Sequence, residues 1–441
     1  MTKRRLTLSK ATAAVAAAVL TAAALLLGGA LSASGTSRGR SPGHGQSEQL
    51  AAGFAAGDTQ SLVLQLQAGL RSRPGNVRGL DLLGLAYQQR ARETGDPSYY
   101  VKAQGVLDRA RRAAPNDLMA TSGLASLALS RHRFGLALRL GREALTISPT
   151  TAIGYGETGD ALLELGRYRE AFAAFDTMAG LKPGVSSYAR VAYARELEGR
   201  FDAARDALLL ARDAAADEKE PTAWTDTQLG KLELSRGRFS VAAGYLHQAL
   251  RVFPGYVYAL DALAQVEAAR GHLRHATALE RRAVETIPLP QFVGLYGDLL
   301  HITSHDRAAR IQYQTEAGIR RLLAANGVKT DLETALFDVD HGIRLHATLR
   351  LARLAQRERP SIDGDDVLAW ALERNGRCDE ALHYSRLALR LGTQDSAKFF
   401  HRAMIERCLG HDPRPWARKA AALNPYFSLL WAPTLRRTVS S

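Results

Sequence analysis

Residues 158–183 read TGDALLELGRYREAFAAFDTMAGLKP, and residues 229–254 read LGKLELSRGRFSVAAGYLHQALRVFP. Both carry a small residue early (Gly159, Gly230), a glycine midway (Gly166, Gly237) and an aromatic just after it (Tyr168, Phe239). An alanine follows (Ala171, Ala242), and a proline closes each stretch (Pro183, Pro254). Between these marks the residues are mostly Ala, Leu, Arg and Glu, which favour helix. A glycine supplies backbone angles that a Cβ penalises, and a proline stops a helix because it lacks an N–H and clashes with the preceding turn. Each stretch therefore predicts two helices joined by a tight turn and ended by proline.

Working outward, the same marks recur at a fixed period. Pro115, Pro149 and Pro183 are spaced by 34 residues, as are Pro254 and Pro288, and Gly376 and Gly410. Residues 375–391, NGRCDEALHYSRLALRL, repeat the middle of the pattern. Gly199, Phe201 and Ala204 mark another unit, as do Ala264, Gly271, Leu273, Ala276 and Ala283. Leu83, Gly84 and Tyr87 open a unit with extra residues around Thr94 to Ser98, and AADEKE before Pro221 is a further insertion. Asp331 to His341 lacks the turn glycine and aromatic at the expected places. A fixed period of this length is the mark of a stacked array.

These residues resemble the tetratricopeptide repeat, a 34-residue unit of two antiparallel helices. The resemblance implies an all-α fold, an antiparallel helix-pair solenoid wound as a right-handed superhelix, with about ten units over residues 45–430. Each unit leaves an apolar face that its neighbours cover. The divisions expected are an N-terminal part of the array at 48–290, irregular units at 291–360, and C-terminal units with a cap at 361–441.

The first residues are of another kind. Lys3, Arg4, Arg5 and Lys10 precede ATAAVAAAVLTAAALLLGGAL, residues 11–31, which carries no charge. A positive end before an apolar stretch is the layout of an export signal, and ~20 apolar residues suffice to span a bilayer. Residues 1–34 are thus expected to be a signal peptide or a signal-anchor helix, and the Gly/Ser/Arg-rich 35–47 a flexible linker. The remainder is expected on the extracytoplasmic side, held at the cell membrane by a single-pass anchor or secreted.

Net charge is +14, but after the leader the Arg residues are interspersed with Glu and Asp. With no nucleic-acid-binding motif, that reads as a solvated face and no nucleic-acid partner is expected. Cys378 and Cys408 are too few for a disulfide framework. A bridge between stacked units is conceivable, and two buried free thiols are the favoured expectation.

Residues 154–159 spell GYGETG, but a dinucleotide loop follows a strand, and here the motif sits within a helix of a repeat. His272 and His275 flank a turn, and Asp338, Asp340, His341 and His346 form the nearest approach to a metal-ligand cluster. A polar helix end explains the latter more simply. No HExxH, GxSxG or phosphate loop occurs, so no catalytic residue, metal or cofactor is expected, and the chain reads as non-enzymatic.

The resemblance implies a concave groove, lined by the first helix of each unit, that binds proteins or peptides. Counting from the turn glycines, the inward-facing candidates are Arg190, Tyr193, Trp224, Lys231, Tyr258, Trp370, His401 and Arg407. Aromatic residues and Arg are the usual anchors of interfaces. The expected function is an exported or membrane-anchored scaffold or adaptor. The alternatives are an accessory subunit of an envelope enzyme or transporter, and a metal-dependent enzyme centred on 290–360.

Overall fold

The computed structural model describes residues 59–216 and 218–440. The leader and linker readings lie outside the described residues. Among the described residues there are 22 helices and no strand, and no helix is long and apolar enough to cross a membrane.

A lone helix α1 (Thr59–Ser72) precedes ten consecutive antiparallel pairs. These are α2 (Val77–Thr94) with α3 (Ser98–Ala113), α4 (Leu118–Ser130) with α5 (Phe134–Ile147), and α6 (Ala152–Glu164) with α7 (Tyr168–Leu181). Next come α8 (Val185–Leu197) with α9 (Phe201–Ala214), α10 (Lys219–Ser235) with α11 (Phe239–Val252), and α12 (Val257–Ala269) with α13 (Leu273–Thr286). Then α14 (Pro290–Ile302) pairs with α15 (Asp306–Ala325), α16 (Asp331–Asp340) with α17 (Leu345–Glu358), and α18 (Ile362–Glu373) with α19 (Cys378–Ala388). The last pair is α20 (Ser396–Cys408) with α21 (Arg414–Leu423), and α22 (Ala432–Ser440) closes the array. This is a tetratricopeptide-like helical solenoid.

The repeat marks act as the sequence predicts. Pro115, Pro149, Pro183, Pro254, Pro288, Pro360 and Pro425 each stand two residues beyond the last helical residue of a second helix. Pro221 instead lies in the first turn of α10, where an absent N–H costs no intrahelical bond. The early glycines are packing sites: a Cβ on Gly159 would stand 2.4 Å from the Phe175 ring, and one on Gly230 2.7 Å from Leu246 Cγ. Phe175 and Leu246 are fully buried, so each large side chain fills the space that the missing Cβ leaves.

In the stretch 291–360 the pairing persists with altered lengths. Helix α15 runs for 20 residues and α16 for 10. Gly342, with φ +67°, makes the turn after α16.

The array also closes on itself. The turn between α4 and α5 meets the start of α16: Lys329 N–H donates to Arg131 O at 3.2 Å, and His132 Nδ1 lies 2.7 Å from Lys329 O. The turn between α6 and α7 meets the start of α18, where Ile362 N–H donates to the Tyr168 hydroxyl at 2.6 Å and Arg359 pairs with Glu164. Further along, Thr393 Oγ1 donates to Leu197 O at 2.5 Å, and Asn424 Nδ2 to Leu234 O at 2.9 Å. These four side-chain-mediated contacts each bridge 190–197 residues. The superhelix therefore completes one turn in roughly five to six repeats, and successive turns touch.

Cys378 and Cys408 are joined as a disulfide between the start of α19 and the end of α20, with Cα atoms 5.9 Å apart. This corrects the expectation of free thiols. The antiparallel stacking of neighbouring pairs brings the two Cα atoms within bridging range.

Candidate functional site

Helices α6, α8 and α10 are the first helices of three consecutive pairs, and residues of all three line one recess. This recess is a cavity of ≈ 200 Å³. Its floor is apolar: Leu163, Phe175, Ala189, Ala192, Leu208 and Leu232. Its polar lining is Asp160, Glu164, Arg190, Tyr193, Glu196, Trp224, Gln228 and Lys231.

Some of these polar groups are spent on the fold. Arg190 donates from Nε to Asp160 Oδ1 at 2.9 Å and from Nη2 to Asp160 Oδ2 at 2.7 Å, a bidentate pair linking α8 to α6. Its Nη1 donates to Ser186 O and Oγ. Burial raises the Asp160 pKa, and the Arg190 guanidinium opposes that rise. Glu164 is likewise raised by burial and opposed by Arg359, its partner from the next superhelical turn.

The others have no hydrogen-bond or ion-pair partner among the described residues: the Tyr193 hydroxyl, the Trp224 indole N–H, the Gln228 amide, the Lys231 ammonium and the Glu196 carboxylate. Trp224 is only 8 % exposed, yet its indole N–H is unused. Burial, then the negative field of Asp395, pushes the Glu196 pKa up to about 7. Burial pushes the Tyr193 phenol well above its usual value. A concave, mostly apolar pocket with a few unspent polar groups is the usual form of a ligand site.

Of the eight residues picked from the sequence, Arg190, Tyr193, Trp224 and Lys231 line this one cavity. Tyr258 is half-buried in an aromatic stack with Tyr256 and Phe292, at ring separations of 5.4 and 5.9 Å. Trp370 and His401 are placed in the core of the C-terminal pairs, 1 % and 3 % exposed, with their rings stacked at 4.5 Å. Trp370 Nε1 donates to Asp340 at 2.9 Å, as Trp431 Nε1 does at 3.0 Å, so the segment leading into α22 covers that face. His401 is held by Asp366 at 3.0 Å. Arg407 is exposed at the end of α20. Glu196 and Gln228 were not singled out from sequence, although they lie three residues from Tyr193 and Lys231 and so on the same helix faces.

The carboxylates and imidazole of 338–341 diverge. Asp338 pairs with Arg320 at 3.1 Å, Asp340 accepts from the two indoles, and His341 Nε2 lies 2.8 Å from Asp298. His272 and His275 both turn to Glu267. Among the described residues no group of three His, Cys, Asp or Glu is placed to hold a metal ion. The GYGETG segment lies inside α6.

No protein-family model matches the chain, and no curated protein matches it. Among solved structures it is similar to the human IFIT1 dimer with PPP-AAAA, at TM-score 0.47 and 15% identity over 78% of this chain and 82% of that one. It is also similar to TTC0263, a thermophilic TPR protein of Thermus thermophilus, at TM-score 0.38 and 22% identity over 46% and 98%. A third is YrrB, a TPR protein with an unusual peptide-binding site, at TM-score 0.30 and 16% identity over 45% and 97%. The fold assignment here rests on the ten helix pairs themselves.

Proposed function

We propose that this chain is a non-enzymatic scaffold that binds a partner protein or peptide through the inner face of its coil, with the α6–α8–α10 cavity as the anchoring point. The observation that carries this reading is the set of five unspent polar groups around an apolar pocket. Their polar atoms are free of protein partners among the described residues and so can bond a ligand without breaking a contact of the fold. The ten pairs account for nearly all of the described chain, which supports a binding rather than a catalytic role.

The partner meets the scaffold outside the cytoplasm. Two observations support that placement: the charged-then-apolar segment at residues 1–31, and the Cys378–Cys408 bridge, since stable disulfides belong to oxidising compartments. A retained leader would tether the scaffold at the membrane surface.

The test is a crosslinked pull-down of the full-length, tagged protein from its own membranes, beside a Tyr193→Ala/Trp224→Ala variant of verified fold and export. A defined set of proteins present with the first and missing with the second supports the reading. Equal recovery from both removes the cavity from the account. Captured RNA would show that the interior serves a nucleic acid instead.

A further inference from the structure

Helix α15 turns a basic and apolar face to solvent. It has 20 residues where α14, with which it pairs, has 13. Ala309, Glu316, Ile319 and Leu323 are buried along one side, and Ile319 and Leu323 belong to the same apolar cluster as Leu80 and Leu83 of α2. The other side carries Arg307, Arg310, Ile311, Gln314, Arg321 and Leu322, all of them exposed. A helix advances about 100° per residue, so these six fall within an arc of about 120°.

The composition of this face sets it apart. Ile311 is 53 % exposed and Leu322 39 %. Arg307, Arg310 and Arg321 pair with no acid among the described residues. The two acids of α15 lie elsewhere: Asp306 is its first residue, 2.7 Å from His301, and Glu316 is buried beside Arg320 at 2.9 Å. Arg and acid are thus interspersed along the chain but separated once the helix folds. The second helices on either side add charge of the same sign. Arg274, Arg281 and Arg282 are exposed on α13, and Arg350 and Arg357 on α17, where Leu354 is 41 % exposed. Helix α9 has the contrary arrangement, exposing Asp202, Asp206 and Asp213 around Leu210.

Like charges one helical turn apart repel each other, as Arg307 and Arg310 must, and an anionic surface relieves that repulsion. Guanidinium groups bind phosphate, and apolar side chains gain by leaving water at the boundary between lipid headgroups and acyl chains. A nucleic acid would use the arginines but leave Ile311 and Leu322 in water. An anionic bilayer takes up both.

We propose that α15 is a membrane-docking helix that lies along the surface of an anionic lipid bilayer. Arg307, Arg310 and Arg321 meet the lipid phosphates, and Ile311 and Leu322 enter the headgroup boundary. This face is separate from the α6–α8–α10 cavity and stands whether or not the scaffold reading does.

The experiment attaches one environment-sensitive fluorophore (NBD) to the full chain at Gln314→Cys, with Leu210→Cys on α9 as the control position. Cys378 and Cys408 are bridged and do not take the label. The probes are vesicles of phosphatidylcholine alone, and vesicles in which phosphatidylglycerol makes up about half. Binding through residues 11–31 would be common to both label positions, so it cannot produce a difference between them. The label at 314 should shift to the blue and brighten by about twofold or more with the anionic vesicles only, and the label at 210 should not respond. Arg310→Gln/Arg321→Gln should lose most of that response, and Arg310→Lys/Arg321→Lys should keep it, both with unchanged thermal unfolding. Salt at about 1 M, which shortens the screening length to about 3 Å, should weaken it.

The proposal is overturned if the label at 314 does not respond, or responds equally to neutral vesicles. Equal responses at 314 and 210 overturn it too, as does a Gln variant that behaves like the parent. A response to duplex DNA and not to vesicles would overturn it in favour of a nucleic acid.

Discussion

Gly199 and Gly392 touch across nearly two hundred residues of chain: a Cβ on Gly199 would stand 2.7 Å from the Gly392 carbonyl oxygen. The turn glycine thus does two things, taking a φ of +71° and allowing one superhelical turn to rest on the next.

Gly376 separates these roles, because its φ is +72° and a Cβ there would meet nothing within 4 Å. Gly376→Ala should cost about 1 kcal/mol, the left-handed penalty alone. Gly199→Ala should cost more and open the coil, which small-angle scattering would register as an increased radius of gyration. Identical scattering from the two variants would mean that the closure does not depend on this contact.

Asp160 and Arg190 are nearly inaccessible, at 5 % and 2 % exposure, and they bridge two repeats. Arg190→Met leaves a buried carboxylate alone and should destabilise by about 3–5 kcal/mol. The double variant Asp160→Leu/Arg190→Met should recover much of that loss in urea unfolding. A single variant within about 1 kcal/mol of the parent would show that water reaches the pair.

Several buried and half-buried groups set the pH response. Burial raises Asp81, Glu196 and Glu316 to about 7 each, and for Glu316 the pull of Arg320 only partly opposes it. A carboxyl whose folded pKa lies above its unfolded value gives stability that is complete below about 4.3 and is lost as pH rises through about 7. His341 and His401 are also raised, by Asp298 and Asp366 against the effect of burial, so their contribution fades as pH climbs above 6.5. Melting temperature should therefore fall between about pH 5 and about pH 8. Glu196→Gln should make that fall shallower. A melting temperature that rises over this range contradicts the assignment.

Much of this fold was legible because the repeat writes its packing into small residues. Gly159 and Gly230 announce Phe175 and Leu246, and the prolines mark where each second helix has ended. The number of helix pairs follows from those marks. The contact between superhelical turns was not legible, because it depends on the curvature summed over several repeats, to which no single motif refers. The site was half legible. Register from the turn glycines brings Arg190, Tyr193, Trp224 and Lys231 to one cavity. The same register points Trp370 and His401 inward as well, but the aromatic cap at Trp431 fills the space in front of them. Glu196 went unnoticed because an acidic residue near a helix end reads as solvated. Its raised pKa comes from partial burial together with the charges of Asp395 and Asp363 on the next turn, which no local motif announces.

The disulfide closes a loop of 30 residues around the turn from α19 to α20. Loop-closure entropy puts its contribution at about 3–4 kcal/mol. The Cys378→Ser/Cys408→Ser variant should melt at a lower temperature, and the parent should show no reactive thiol until a reductant is added. Two thiols labelled without reductant would remove this support for an oxidising compartment.

The most direct test of the scaffold reading replaces Tyr193 with a photo-crosslinking benzoylphenylalanine in the full-length protein and irradiates intact cells. The control carries the same group at Leu210, which is half exposed on the second helix α9. The account predicts a discrete adduct from position 193, absent from position 210 and suppressed when Trp224 is changed to Ala. No adduct at 193, or the same adducts from both positions, would contradict it.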